Sequence, residues 1–485
     1  MRVLAIASEM QPWVKTGGLA DVVGALPAAL AVHRVAVTTL IPGYPALRPF
    51  MSQGRHLHHF DDLVGVEADL IAAEIGGRHL LLLDAPELYD REGGPYTARD
   101  GRDWPDNWRR FAALGRAGAD IAGGLTPAEG PDLLHVHDWQ PGLAPAYLRH
   151  GPRPDLPSVL TLHNLAFQGR FDAGIFAELG LPDSAFQLEG VEYFGGVGFL
   201  KAGMHYCQMI TTVSPSYAQE ILRPQQGMGL DGLLKRKPLR GIINGIDHSL
   251  WDPTSDAQIT AHYSASRLGP RKINKQAVAK VFHLGRGAGP IFSVISRLTA
   301  QKGIDVLVEA IPALIAAGGR LAVLGAGDLS LEQALLRLAA QYPQRIGVKI
   351  GYDEGMAHLL QAGADAILIP SRFEPCGLTQ IYGLRYGCLP IVARTGGLND
   401  TVIDANEAAL TAGVATGFQF WPPESPELLH AISRALTLYA DKRAWVAMQR
   451  RAMRVDFSWD RSARLYARLF ADLVGGSPAA RVQPS

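Results

Sequence analysis

The sequence predicts an α/β protein made of two doubly wound domains, and three observations carry that expectation. Short β-branched runs ending in polar residues alternate with stretches of helical periodicity, first in the amino-terminal half and again from about residue 289. Between the two series, from Ile246 to Gly289, the alternation breaks down in "GIDHSLWDPTSDAQITAHYS" and reads as a connector. The 485 residues also exceed what one hydrophobic core ordinarily holds.

The opening "MRVLAIASEM" is an apolar run interrupted by Glu9, with no small-residue cleavage site after it, so it reads as a buried first strand rather than an export signal. Leu19, Val22, Val23, Leu26 and Leu30 then recur at spacings of three and four, one face of a helix. Pro27 is expected to kink or locally unwind it. "RVAVTTLIPGYP" follows as a strand closed by turn residues, completing a βαβ unit. "DLLHVHDW", "SVLTLHN" and "MITTVSPSY" continue the first series. "PIFSVISRL", "RLAVLGAGD", "IGVKIGY", "DAILIPS" and "LPIVART" form the second, with helical stretches such as "LEQALLRLAAQ" between them. "KTGGLADVV" from Lys15 is echoed by "RTGGLNDTV" from Arg394, and both read as strand-to-helix turns.

Composition narrows the function classes. Apolar residues make up 47% and charged residues 19%, an ordered globular balance, and the formal net charge of zero disfavours nucleic acid or an anionic membrane as the main partner. No uninterrupted apolar run reaches the roughly 18 residues of a membrane span. Cys207, Cys376 and Cys388 are far apart and form no C-x-x-C pair, which suits a reduced, cytoplasmic protein.

The strand-end loops hold the candidate chemistry, because open parallel sheets bind ligands there. Lys15 stands one intervening residue ahead of Gly17 and Gly18 at a helix start, where free N–H groups and a full cation together favour an anion, phosphate first. In "ISRLTAQKG", Arg297 and Lys302 offer a bidentate fork and a point charge, a pair suited to a diphosphate. "SRFEPCGLTQ" places Glu374 before Gly377, Leu378 and Thr379, a second helix start. A carboxylate there repels phosphate, so sugar hydroxyls or a developing positive charge are its natural partners. His135, His137, Asp138, His163 and Asn164 sit at two strand ends, yet no third cluster has metal-site spacing, and no metal is expected. "HLHHF" near residue 56 reads as a solvated or partly buried cluster rather than a site.

Taken in order, "KTGGLADVVGALP", "PYTARDGRDWPDNWRRF", "HVHDWQ", "TLHNLAFQG", "TTVSPSYAQEI", "INGID", "SRLTAQKG", "GYDE", "SRFEPCGLTQIYGLRYG" and "RTGGLNDTV" resemble the bacterial glycogen synthase and plant starch synthase family over roughly residues 1 to 460. The resemblance implies two Rossmann-like domains facing a central cleft, the GT-B arrangement. The boundaries are then 1–245 for the acceptor side and 246–457 for the donor side, with a final helix 458–477 returning to the first domain. The implied activity is retaining transfer of glucose from ADP-glucose to the non-reducing end of an α-1,4-glucan such as glycogen, releasing ADP. No cofactor is implied, neither metal nor lysine-bound pyridoxal phosphate.

By the same resemblance, Arg297, Lys302 and Lys15 neutralise the donor diphosphate with the amides of Gly18, Gly377, Leu378 and Thr379, and Tyr352 stacks on the adenine. Glu374 binds glucose hydroxyls. Tyr96, Asp138, Asn164, Asn244 and Cys376 lie on the sugar side, and the backbone carbonyl of His163 faces the anomeric carbon. Lys15 is implied to engage only on closure of the cleft. Eight positions after Glu374, where many related retaining transferases have a second glutamate, this chain has Tyr382. A synthase of the sucrose or trehalose type, differing in acceptor, and a non-catalytic glucan-binding scaffold are the alternatives.

Overall fold

In the computed structural model, which describes residues 1–125, 130–287 and 289–476, the run "RVLAI" is strand β1, Arg2–Ile6, buried in the middle of a nine-stranded sheet. Its companions are β2 Ala36–Pro42, β3 Arg55–Phe60, β4 Ala68–Ile75, β5 Arg78–Asp84, β6 Leu133–His137, β7 Ser158–Leu162, β11 Met209–Thr212 and β12 Leu239–Gly241, in the order β12-β11-β7-β6-β1-β2-β5-β4-β3. Three short strands, β8 Arg170–Phe171, β9 Glu192–Tyr193 and β10 Gly196–Gly198, make a separate small sheet. Pairing is parallel from β12 to β5 and antiparallel through β4 to β3. The histidine-rich "HLHHF" is thus the edge strand of an antiparallel extension, where His56 and His59 both bond Asp69.

The second sheet is parallel throughout: β13 Ile291–Ile295, β14 Arg320–Gly325, β15 Ile346–Ile350, β16 Ala366–Ile369, β17 Leu389–Ala393 and β18 Phe418–Phe420, in the order β15-β14-β13-β16-β17-β18. The chain forms two compact units, Met1–Gly245 with the segment from Trp459 onward, and Ile246–Ser458.

Two local expectations need correction. The helix Gly18–Val32 runs unbroken through Pro27. Val22, Leu26 and Leu30 on that helix are buried in one cluster with Trp459, Tyr466, Leu469 and Phe470, and this packing offsets the one hydrogen bond a proline removes. The connector is also not wholly irregular: Arg271–Val281 is a helix. The Arg271 guanidinium, buried, donates to the carbonyls of Tyr386 and Ala364, tying that segment to the second sheet's helices.

The final helix spans Trp459–Val474, and its apolar face fills the cluster against Gly18–Val32. Ser462 Oγ donates to the Ile243 carbonyl at 2.6 Å. Ser477, where the sequence reading ended this helix, lies outside the described residues. Among the described residues no helix is long and apolar enough to cross a membrane.

Candidate active site

Strand order reverses between β1 and β6 in the first unit and between β13 and β16 in the second. Such switch points open a crevice beyond the carboxyl ends of the strands, so the loops that leave these strands are the ones to inspect.

In the first unit, the loop after β1 carries Lys15 to Gly18. Lys15 Nζ lies 2.8 Å from Asp21 Oδ1, a carboxylate in the first turn of the following helix. Gly17 is the helix N-cap in extended conformation, and a Cβ built there would meet nothing within 4 Å. Open space over the helix start suits a ligand's approach. Glu9, which the sequence reading treated only as a break in an apolar run, is 2% exposed and accepts hydrogen bonds from the Thr16 amide, the Thr16 hydroxyl at 2.7 Å and the Tyr96 hydroxyl. Tyr96 also meets Ser8 Oγ at 2.8 Å, so its hydroxyl is held inside the protein. Burial and Glu9 together raise the Tyr96 phenol well above its ordinary pKa.

The loop after β6 brings Asp138, buried with φ 65°, a left-handed conformation uncommon outside glycine. Burial raises its carboxyl well above the usual range against the opposing hydrogen bonds from the Asn164, His163 and Trp139 backbone, and Oδ1 has no partner among the described residues. After β7, His163 Nε2 lies 3.1 Å from His137 Nδ1, and Asn164 Oδ1 caps its own turn by accepting from the Ala166 amide at 3.0 Å. Asn244 is buried, with Oδ1 unpartnered among the described residues. Asp138 Oδ1 and Asn244 Oδ1 are thus two buried side-chain oxygens on the sugar-side candidates without partners among the described residues.

His135 and His137 are structural in origin. Their ring centroids are 4.1 Å apart, and His135 Nε2 meets Thr161 Oγ1 at 2.7 Å. Burial pushes His135 and His163 down to about 3 and His137 well below 6.5. The folded state therefore stays unprotonated while the unfolded chain takes up protons below about 6.5, and stability is lost as pH falls from there. We expect the urea midpoint to drop between pH 6.5 and 5, each histidine contributing up to about 1.4 kcal/mol per pH unit once well below 6.5. His135→Gln should flatten that slope; an unchanged slope would mean the ring is not the source.

In the second unit, the loops after β13 and β16 are laced together. Gly303, φ 67°, follows Lys302, and a Cβ there would lie 2.0 Å from the Pro370 carbonyl oxygen, so the approach of the two loops requires glycine. Arg372 donates from its amide to Gln301 O at 3.0 Å and bridges to Asp305 at 2.6 Å. Lys302 Nζ lies 2.6 Å from Glu374 Oε2, which also accepts from Ser371 Oγ at 3.1 Å. Arg297 is exposed, and its guanidinium makes no hydrogen bond or ion pair among the described residues.

Gly377 has φ 70°, Leu378 is the N-cap and Thr379 opens the helix Thr379–Tyr386. Gln380 Nε2 donates to the carbonyls of Cys376 and Gly377, both at 2.9 Å, which fixes the turn. Cys376 is buried beneath it. Tyr352, 71% exposed, stands after β15 with its hydroxyl on Glu354, while Asp353 caps the helix Glu354–Gly363. Tyr382 stacks on Trp251 at 3.7 Å, and Trp251 stacks equally closely on His358.

The echoed T-G-G motifs have different physical reasons. Gly396 has φ 44° where Gly17 has φ −162°. Cβ atoms at Gly396 and Gly397 would lie 2.0 Å from Glu374 O and 2.1 Å from Cys376 O. The second pair thus seats the Glu374 loop, whereas Gly17 of the first faces open space.

Residues 2–236 match the starch synthase catalytic domain, and residues 280–451 match the glycosyl transferases group 1 domain. A glycogen synthase from Mesorhizobium japonicum is 56% identical over 472 residues, 97% of this chain and 98% of that one. The chain belongs to the glycogen synthase family. It is a glycosyltransferase of the two-domain GT-B fold. Glycogen synthase 1 of Rhizobium meliloti is likewise 56% identical, over 98% of this chain and 99% of its own. Among solved structures, the catalytic domain of Arabidopsis thaliana starch synthase IV, bound to ADP and acarbose, matches with a TM-score of 0.85 and 30% identity over 98% of this chain and 99% of that one. A sucrose-phosphate synthase from Thermosynechococcus elongatus shares the fold, with a TM-score of 0.59 at 18% identity over 98% of this chain and all of that one.

Among the described residues no group of three or more His, Cys, Asp or Glu side chains is arranged to hold a metal ion. Sequence reasoning missed Glu9 and Ser371, which hold other site residues. Glu9 alone left a signal, a carboxylate breaking an apolar strand just before a glycine loop.

Proposed function

We propose that this protein takes glucose from ADP-glucose and adds it, with retention of α configuration, to the non-reducing end of an α-1,4-glucan. The carrying observation is the set of second-unit loops at the switch point. Arg297, Lys302 and the helix start at Leu378 and Thr379 offer cationic and amide donors suited to a diphosphate, beside the carboxylate of Glu374. The ADP held by the Arabidopsis relative supports adenine as the base, with Tyr352 as its stacking partner.

In this reading the C1–oxygen bond to the β-phosphate breaks, the acceptor 4-hydroxyl bonds C1 on the same face, and its proton passes to the leaving phosphate. Charge growing on the diphosphate is met by Arg297, Lys302 and Lys15, with the Gly18 and Gly377 amides nearby in sequence. Glu374 exchanges its bond to Lys302 for glucose hydroxyls, and the His163 carbonyl faces the oxocarbenium-like carbon. Asp138, Asn164, Asn244, Tyr96 and Cys376 form the sugar side. The scheme needs neither metal nor pyridoxal phosphate, and with three free cysteines it suits the cytoplasm.

The test is nucleoside diphosphate release with ADP-glucose and UDP-glucose in parallel, each with and without glucan primer. Primer-dependent ADP release with lengthened α-1,4 chains is the expected result. Preference for UDP-glucose would overturn the donor, and release without chain growth would point to another acceptor.

A further inference from the structure

We infer that Glu9 is a positioning residue for Lys15, an inference that rests on the donor role proposed for that lysine. Glu9 lies three residues past the end of β1, and from there to Thr16 the chain closes into a loop. Met10 and Val14 exchange both backbone hydrogen bonds at 3.0 Å, and the Gln11 amide donates to the Ala20 carbonyl on the following helix. The loop's ends are joined by Glu9 itself. One carboxyl oxygen takes the Thr16 amide, and the other takes the Thr16 hydroxyl at 2.7 Å together with the Tyr96 phenol.

Thr16 is the residue directly after Lys15, so these bonds fix the backbone from which the ammonium extends. Tyr96 is fixed in turn, because its carbonyl accepts from Asn107 Nδ2 at 2.9 Å and from the Trp104 amide at 3.1 Å. At the far end of the side chain, Asp21 holds the ammonium at 2.8 Å. A four-carbon lysine stem sweeps a wide arc unless its base is held. The space a Cβ would take at Gly17 holds no neighbour within 4 Å, so no packing on that side does so. Burying a carboxyl group is costly unless its acceptors are used, and here three donors from two separate loops use them.

The test is a double-mutant cycle on the full chain, reading kcat and ADP affinity separately. Glu9→Gln keeps the volume and replaces one acceptor oxygen with a donor. It should lower kcat by about 30- to 100-fold, as a misplacement near 1 Å does, with ADP affinity changed less than about twofold. In a Lys15→Ala background the same change should cost less than about twofold in kcat, because the group it positions is gone. Thr16→Val, which removes only the hydroxyl bond, carries the same cycle if Glu9→Gln fails to fold. Losses that multiply across the cycle, with Lys15→Ala impaired alone, would overturn the inference and leave the donor reading standing. Full turnover in Lys15→Ala would instead remove the donor role of Lys15, and this inference with it.

Discussion

Lys15→Ala should lower kcat by about 10²- to 10³-fold, the usual effect of removing one group aimed at developing charge, while leaving ADP affinity within about threefold. Lys15 belongs to the first folded unit, and Arg297, Lys302 and the Leu378–Thr379 helix start belong to the second. On the proposed donor reading, ADP keeps cationic and amide partners in the second unit without Lys15. The Lys15 charge is met in the structure by Asp21. Exchanging that carboxylate for a diphosphate is most favourable when the diphosphate carries its full leaving-group charge, so the gain falls on the transition state. Initial-rate kinetics with ADP-glucose and glucan, set beside calorimetric ADP titration, separate the two quantities. Equal losses in turnover and in ADP affinity would show that Lys15 binds ground and transition states alike.

Gly397→Ala should cost at least about 10²-fold in kcat/KM although it changes no group that meets substrate. Its Cβ would lie 2.1 Å from the Cys376 carbonyl oxygen and 2.5 Å from the Cys376 Cα, and backbone atoms cannot be rotated aside. The Gly397 amide also donates to the carbonyls of Glu374 and Pro375 at 3.1 Å. The segment bearing Glu374 has to shift, which breaks the Lys302 and Ser371 contacts that orient its carboxyl group. Gly269→Ala is the matched control in the same unit, since a Cβ there meets nothing within 4 Å and its φ lies outside the left-handed region. Far-ultraviolet circular dichroism should show both variants folded. A Gly397→Ala enzyme near full activity would mean that the loop relaxes without moving Glu374.

Much of this was legible in the sequence for a simple reason. Strands buried on both faces read as continuous apolar runs, and β1, β6, β7, β13, β14 and β17 were all visible as such. The strand-end polar residues that follow them, from Asp138 to Arg297, mark the ligand-facing ends of the sheets. The edge strand β3 was not visible as a strand, because an exposed edge needs no apolar run, and the inner strands β4 and β5 were not read although each carries one, LIAA and LLLL. Pro27 misled the local reading, since helix propensity is weaker than the cluster that Trp459, Tyr466 and Phe470 build against that helix.

By itself, then, the sequence determined two doubly wound α/β series, the strand ends from which Lys15, Arg297, Lys302 and Glu374 arise, and the family. Those follow from local patterns of apolar burial, glycine and charge. Only the tertiary structure decided that Glu9 and Tyr96 hold Lys15's loop, that Lys15 and Lys302 meet the carboxyl groups of Asp21 and Glu374, and that two identical T-G-G motifs serve different ends. The Glu9–Tyr96 and Lys302–Glu374 contacts join residues 87 and 72 positions apart in the chain, and such pairings leave no periodic trace in the sequence.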